Sequence, residues 1–206
     1  VRMHVLIEDV GPLTNTLCIC GESGAYTIRV SALDGTTLSE SSVVKVSTVM
    51  EESVSLDLSF PSPGQYIVTL AGTRHHRVTW SNEVRHVFEA SDDHPCGTDY
   101  YGTAYFFVPK GMTTILMDPG ARFSVKAPSW AGRIDYYRDD MGEQDCVEIP
   151  VGDDDGKIWE MINMTRGSII FYNIPPYFGS DPGRLLIPCS DADWYVSHEG
   201  AGDRHG

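Results

Sequence analysis

Residues 128–146 gather the side chains best suited to holding a polar ligand. Trp130 lies in the loop Pro128-Ser-Trp-Ala-Gly132, and Arg133, Asp135, Tyr136, Tyr137, Arg138, Asp139 and Asp140 follow within ten positions. A sugar ring has apolar C–H faces that stack on flat aromatic rings, and hydroxyls that pair with planar polar groups at the rim. Trp130, Tyr136 and Tyr137 could supply the stacking, and Arg133 and Asp135 the hydrogen bonds. A large aromatic in a loop either packs or binds something. Trp130 therefore has two readings, an open platform or a plug at one end of a β-sandwich. Tyr136 and Tyr137 are adjacent on an apparent strand and face opposite ways, so one of them is expected to face out. Tyr101, with Tyr100, opens another strand and joins the candidate carbohydrate-binding set.

A second cluster is Asp153, Asp154 and Asp155, followed by Gly156. Carboxylate oxygens in a tight turn suit Ca²⁺, which takes six to eight oxygen ligands. The full EF-hand pattern is absent. A structural calcium site and a solvated charged turn are the two readings.

Signatures of catalysis are missing. Gly21-Glu-Ser-Gly24 lacks the Gly-x-Ser-x-Gly spacing of a nucleophile elbow and reads as a hairpin turn. Glycosidases need two carboxylates at a set separation, and acids are too abundant here to single out a pair. His75 and His76 are adjacent, so on a strand they diverge. The chain is read as having no catalytic residues. Its five cysteines show no CxxC pair, which disfavours zinc. Cys18 and Cys20 are read as facing opposite ways on one strand, so no bond between them is expected. Cys96 and Cys146 could pair, although free thiols are the simpler expectation.

The formal net charge is −14, and it is uneven: residues 1–87 hold 9 acids and 6 bases, residues 88–206 hold 20 acids and 9 bases. Such a surface repels phosphate backbones and anionic lipids, so neither nucleic acid nor membrane is an expected partner. A neutral or weakly charged ligand suits it better. No stretch approaches the roughly 18 apolar residues of a membrane span. The chain starts inside an apparent strand and reads as an excised piece of something longer.

These groups must be positioned by strands, because the dominant hydrophobic period is two. Tyr26, Ile28 and Val30 alternate with polar residues, as do Val54, Leu56, Leu58 and Phe60, and Tyr66, Val68 and Leu70. Turn signals such as Asp34-Gly35 and Pro61-Ser-Pro-Gly64 separate them. Expected strands lie near 3–8, 13–20, 25–32, 42–49, 53–60, 65–71 and 76–80, then near 84–89, 101–108, 113–118, 122–127, 132–138, 145–149, 156–163 and 167–172. The fold expected is all-β: two tandem β-sandwich domains, immunoglobulin-like over 1–82, then jelly-roll-like or immunoglobulin-like over 83–190. Residues 174–183 read as a loop, and 191–206 as a frayed tail with a short helix near 191–196. Tyr66 is placed to reach back to the corner before its strand. Trp159 reads as core.

Three segments in order carry a resemblance: Tyr105-Phe-Phe-Val-Pro-Lys-Gly111, Gly156-Lys-Ile-Trp-Glu-Met161, and Ile174-Pro-Pro-Tyr-Phe178 with Arg184-Leu-Leu-Ile-Pro188. Together they resemble β-sandwich appendage domains, similar to carbohydrate-binding modules, near the ends of large bacterial secreted glycan-degrading proteins. The resemblance spans roughly 24–188 and departs from the pattern between Trp130 and Cys146. It implies a secreted or bacterial cell-surface setting, a catalytic domain of the parent protein as neighbour, and a plant or algal type polysaccharide or oligosaccharide as ligand. It carries over no binding residues. The function expected is thus a non-catalytic carbohydrate-binding module, with a structural spacer that binds no glycan as the alternative.

Overall fold

The computed structural model describes residues 1–8, 13–73, 76–80, 84–98, 103–118, 122–137, 146–165, 167–188, 194–198 and 201–205. Among them the protein is all-β, with antiparallel strand pairing and a single 3-10 turn at Pro182–Arg184. No helix among the described residues is long and apolar enough to cross a membrane. The chain divides into two compact units, Arg2–His86 and Val87–Gly206, with Val1 grouped in the second.

The first unit contains β1 (Arg2–Ile7), β2 (Thr14–Gly21), β3 (Gly24–Ser31), β4 (Thr37–Lys45), β5 (Ser53–Ser59), β6 (Gly64–Ala71) and β7 (His76–Trp80). The strands run β1-β6-β3-β4 in one sheet and β5-β2-β7 in another. Alternation sets which face is buried: Tyr26, Ile28 and Val30 of β3 are buried, as are Leu17 and Ile19 of β2. Cys18 and Cys20 share the other, half-exposed face of β2, and both are free. Their expected divergence is corrected, because residues two apart on a strand point the same way.

Two tyrosines tie strand starts to the turns before them. The Tyr66 hydroxyl donates to the Ser62 carbonyl at 2.7 Å, which is the expected reach to the corner. The Tyr26 hydroxyl donates to the Glu22 carbonyl at 2.7 Å and lies 2.7 Å from Thr73 Oγ1. A Cβ on Gly72 would press into the Tyr26 ring, so only glycine lets the backbone pass there.

The fourth strand ends earlier than the valines of 43–49 suggest. Lys45 is buried, and its ammonium donates to the carbonyls of Ser47 at 2.7 Å and Val49 at 2.8 Å. A buried ammonium needs acceptors, and meeting that need folds the chain back and breaks the strand. Val46 is left 83% exposed.

The second unit comprises β8 (Arg85–Glu89), which begins two residues before the division, then β9 (Cys96–Thr98), β10 (Thr103–Val108), β11 (Thr114–Asp118), β12 (Arg122–Lys126), β13 (Ile134–Tyr137), β14 (Val147–Pro150), β15 (Lys157–Thr165), β16 (Gly167–Phe171), β17 (Tyr177–Gly179), β18 (Leu186–Pro188), β19 (Trp194–His198) and β20 (Ala201–His205). One sheet runs β13-β12-β15-β10-β17-β8 and another β14-β11-β16-β9. Their inner faces share one core: Phe106 and Trp159 of the first sheet join Ile115, Ile149 and Phe171 of the second. The Phe106 and Phe171 ring centroids are 5.1 Å apart.

Several regions of the second unit differ from expectation, among them β9 (Cys96–Thr98), which no expected strand covered. The supposed loop after Ile174 contains β17, which lies between β10 and β8. Three residues are too few to show a period, so only their neighbours reveal the strand. The supposed tail forms an antiparallel pair, β19 with β20, and β19 also pairs with β18. Trp194, Tyr195 and Val196 are residue types that favour strands.

Candidate functional site

The expected site residues divide between the core and an open edge. Among the described residues, strand β13 is the last strand of its sheet and pairs only with β12, through Phe123↔Tyr136 and Ser124↔Asp135. Tyr136 faces inward, with its ring stacked on Phe123 at 4.9 Å and 18°. Burial raises the pKa of its phenol. Trp130 is half-buried, its ring 5.3 Å from Trp159 in an edge-to-face contact. Its backbone N–H closes a turn on the Ala127 carbonyl at 3.1 Å. Both aromatics therefore pack against the core, as Trp159 itself does.

The polar members face out. Arg133 and Asp135 are exposed, with Arg133 Nε 3.8 Å from Asp135 Oδ1, and Asp135 also accepts the hydroxyl of buried Ser124. Both charges keep donor and acceptor capacity toward solvent. The side chain of Tyr137, and residues Tyr101, Arg138, Asp139 and Asp140, lie outside the described residues.

The acidic turn is organised around Lys157, a part-exposed cation. Asp154 is 1% exposed, and its Oδ1 accepts from Lys157 Nζ at 2.8 Å. Its Oδ2 accepts from the Ser129 hydroxyl and from the Ser129 N–H at 3.3 Å. Lys157 also donates to the Asp153 carbonyl at 3.0 Å, and Asp155 Oδ2 accepts from the Gly111 N–H at 2.6 Å. Burial by itself would raise the Asp154 pKa. The hydrogen bonds from Lys157 and Ser129, with the lysine charge, outweigh it and hold the carboxyl below its ordinary value. Both Asp154 carboxylate oxygens and Asp155 Oδ2 accept from Lys157, Ser129 and Gly111, so the buried carboxylate of the expected calcium set is already engaged by the protein. Among the described residues no three His, Cys, Asp or Glu side chains form a metal-binding group. The charge of buried Asp154 is balanced by Lys157, three residues on.

Cys96 and Cys146 are both free thiols, so the pairing considered for them is not made. Cys96 is buried, and burial pushes its thiol up to about 11.

One surface carries no sequence motif. On the outward side of the second unit's four-stranded sheet, a shallow groove of about 340 Å³ is lined by Met112, Thr114, Leu116, Glu148 and Asn173, among others. The expected site set contains none of these residues. The only sequence sign was the period of two, which places Leu116 opposite the buried Ile115 and Met117.

Comparison with known proteins returns no matching family model, no matching curated protein and no matching solved structure.

Proposed function

We propose that the chain is a non-catalytic carbohydrate-binding appendage, built as two tandem β-sandwich modules and attached to a larger secreted or cell-surface glycan-degrading protein. The first module is immunoglobulin-like and the second jelly-roll-like or immunoglobulin-like. The observation that carries the reading is the edge strand β13, where, among the described residues, exposed Arg133 and Asp135 stand beside the Trp130 loop. Paired charged groups of both donor and acceptor type match vicinal hydroxyls, and the net charge of −14 favours an uncharged glycan.

A structural spacer is the second reading. It is favoured by the use of Trp130 and Tyr136 as packing residues against Trp159 and Phe123. Affinity electrophoresis of the chain in gels containing neutral plant or algal polysaccharides separates the two. Binding predicts retardation on at least one glycan, weakened by Arg133→Ala, an exposed change that spares the core. Mobility unchanged on every glycan favours the spacer.

A further inference from the structure

We infer that the groove on the β14-β11-β16 face is a second ligand site, which takes a neutral pyranose ring. The inference draws its ligand class from the glycan-binding reading, but it places the ligand on the opposite sheet from Arg133 and Asp135.

Three strands set the geometry. Glu148 of β14 is the cross-strand partner of Leu116 of β11. On the other side of Leu116, the Tyr172 N–H donates to the Leu116 carbonyl at 3.0 Å. Met117 and Phe171 pair one step along, and both are buried, so Leu116 and Tyr172 share the outward face. The result is a row across the sheet: a carboxylate, an aliphatic floor and an aromatic ring, with strand spacings of about 4.8 Å. Tyr172 is 46% exposed and directly follows β16, next to the groove-lining Asn173. Its ring offers a face for the C–H side of a sugar.

Asn173 supplies the second, independent feature. Strand β16 stops at Phe171, and the Asn173 side chain continues its ladder. Oδ1 accepts from the Leu116 N–H at 2.7 Å, and Nδ2 donates to the Thr114 carbonyl at 2.8 Å. Two bonds to one strand lock the amide plane. An amide has two donors and two acceptor lone pairs, so one N–H and one lone pair remain on a rigid plane at the groove wall. A donor and an acceptor fixed side by side suit a pair of neighbouring hydroxyls, and the ordering cost of binding is already met by the fold. Glu148 adds an acceptor, and Thr114 adds a hydroxyl. Glu148 is the one charged lining group among the described residues, which disfavours anionic sugars and phosphates. The volume is at the low end of the range for small-molecule sites, about 300–1,000 Å³, so one or two rings are the expected occupant.

Amide-resolved NMR titration of the chain with neutral gluco-, galacto-, manno- and xylo-oligosaccharides tests this. One series is expected to shift the Asn173 side-chain amide and the Leu116 N–H saturably. Tyr172→Ala, at an exposed position, is expected to weaken that binding about tenfold, while Val46→Ala, at an exposed position of the first unit, leaves it unchanged. Saturable binding that shifts other residues and survives both Tyr172→Ala and Glu148→Gln overturns this site but leaves the glycan-binding reading standing. No saturable shift with any series, together with unchanged electrophoretic mobility on every polysaccharide, overturns both.

Discussion

The indole Nε1 of Trp159 donates to the main-chain carbonyl of Asp154 at 3.0 Å, in the buried interior of the second unit. This bond joins the largest core side chain to the acidic turn. It explains why a surface-looking run of three aspartates has a buried member. The same turn holds Ser129, next to Trp130, whose ring packs on Trp159. Acidic turn, tryptophan loop and core are thus one connected piece.

Removing the lysine that pairs with Asp154 should therefore destabilise the second unit. Lys157→Met leaves the Asp154 carboxylate with Ser129 alone, and a loss of about 1–3 kcal/mol is expected in urea unfolding. Asp154→Asn should cost a similar amount near neutral pH. The Asp154 carboxyl is held below its ordinary value, so its contribution is complete above the unfolded value of about 3.9 and is lost as pH falls through the lower folded value. The gap between wild type and Asp154→Asn should then narrow below about pH 4. A gap that stays constant from pH 7 to pH 3 would contradict the lysine-neutralised turn.

The two tyrosine anchors of the first unit should each be measurable. Tyr66→Phe removes the bond to the Ser62 carbonyl while keeping the ring, which sits 5.0 Å from Phe60. The expected cost is about 1–2 kcal/mol. Gly72→Ala should cost about 1–3 kcal/mol, because the added methyl meets the Tyr26 ring. Thermal melts of both variants with unchanged midpoints would show that these contacts do not hold the turns.

Thiol reactivity should follow burial. Cys96 is buried with its thiol raised to about 11, and the thiolate is the reactive form. In the native protein at pH 8, alkylation mapped by peptide mass should reach Cys18, Cys20 and Cys146 well before Cys96. Labelling of Cys96 at the same rate as Cys18 would contradict its place in the core.

Much of the fold was legible along the chain. Alternation in Tyr26-x-Ile28-x-Val30 and in Tyr66-x-Val68-x-Leu70 marked β3 and β6 directly, because a half-buried strand repeats every two residues. The corner role of Tyr66 followed from the Pro-Gly turn before its strand. Less of the candidate site was legible. Trp130, Tyr136, Arg133 and Asp135 look alike as ligand-binding types, yet the first two turn to the core and the others to solvent. For Tyr136 and Asp135 the register against β12 makes that division, and for Trp130 the contact with Trp159 does.

Composition and local period determined that this chain makes strands, where most of them lie, and that its surface is acidic. Tertiary structure decided what each polar group does. Lys45 ends a strand because its buried ammonium must find carbonyls, and Lys157 pairs with the buried Asp154 carboxylate. Three-residue β17 exists because β10 and β8 both offer it a ladder. Glu148, Leu116 and Tyr172 are 32 and 56 residues from one another along the chain, at positions 148, 116 and 172, and only strand pairing sets them in a row. Hydrogen bonding and burial depend on neighbours distant in sequence, and a local pattern carries no record of them.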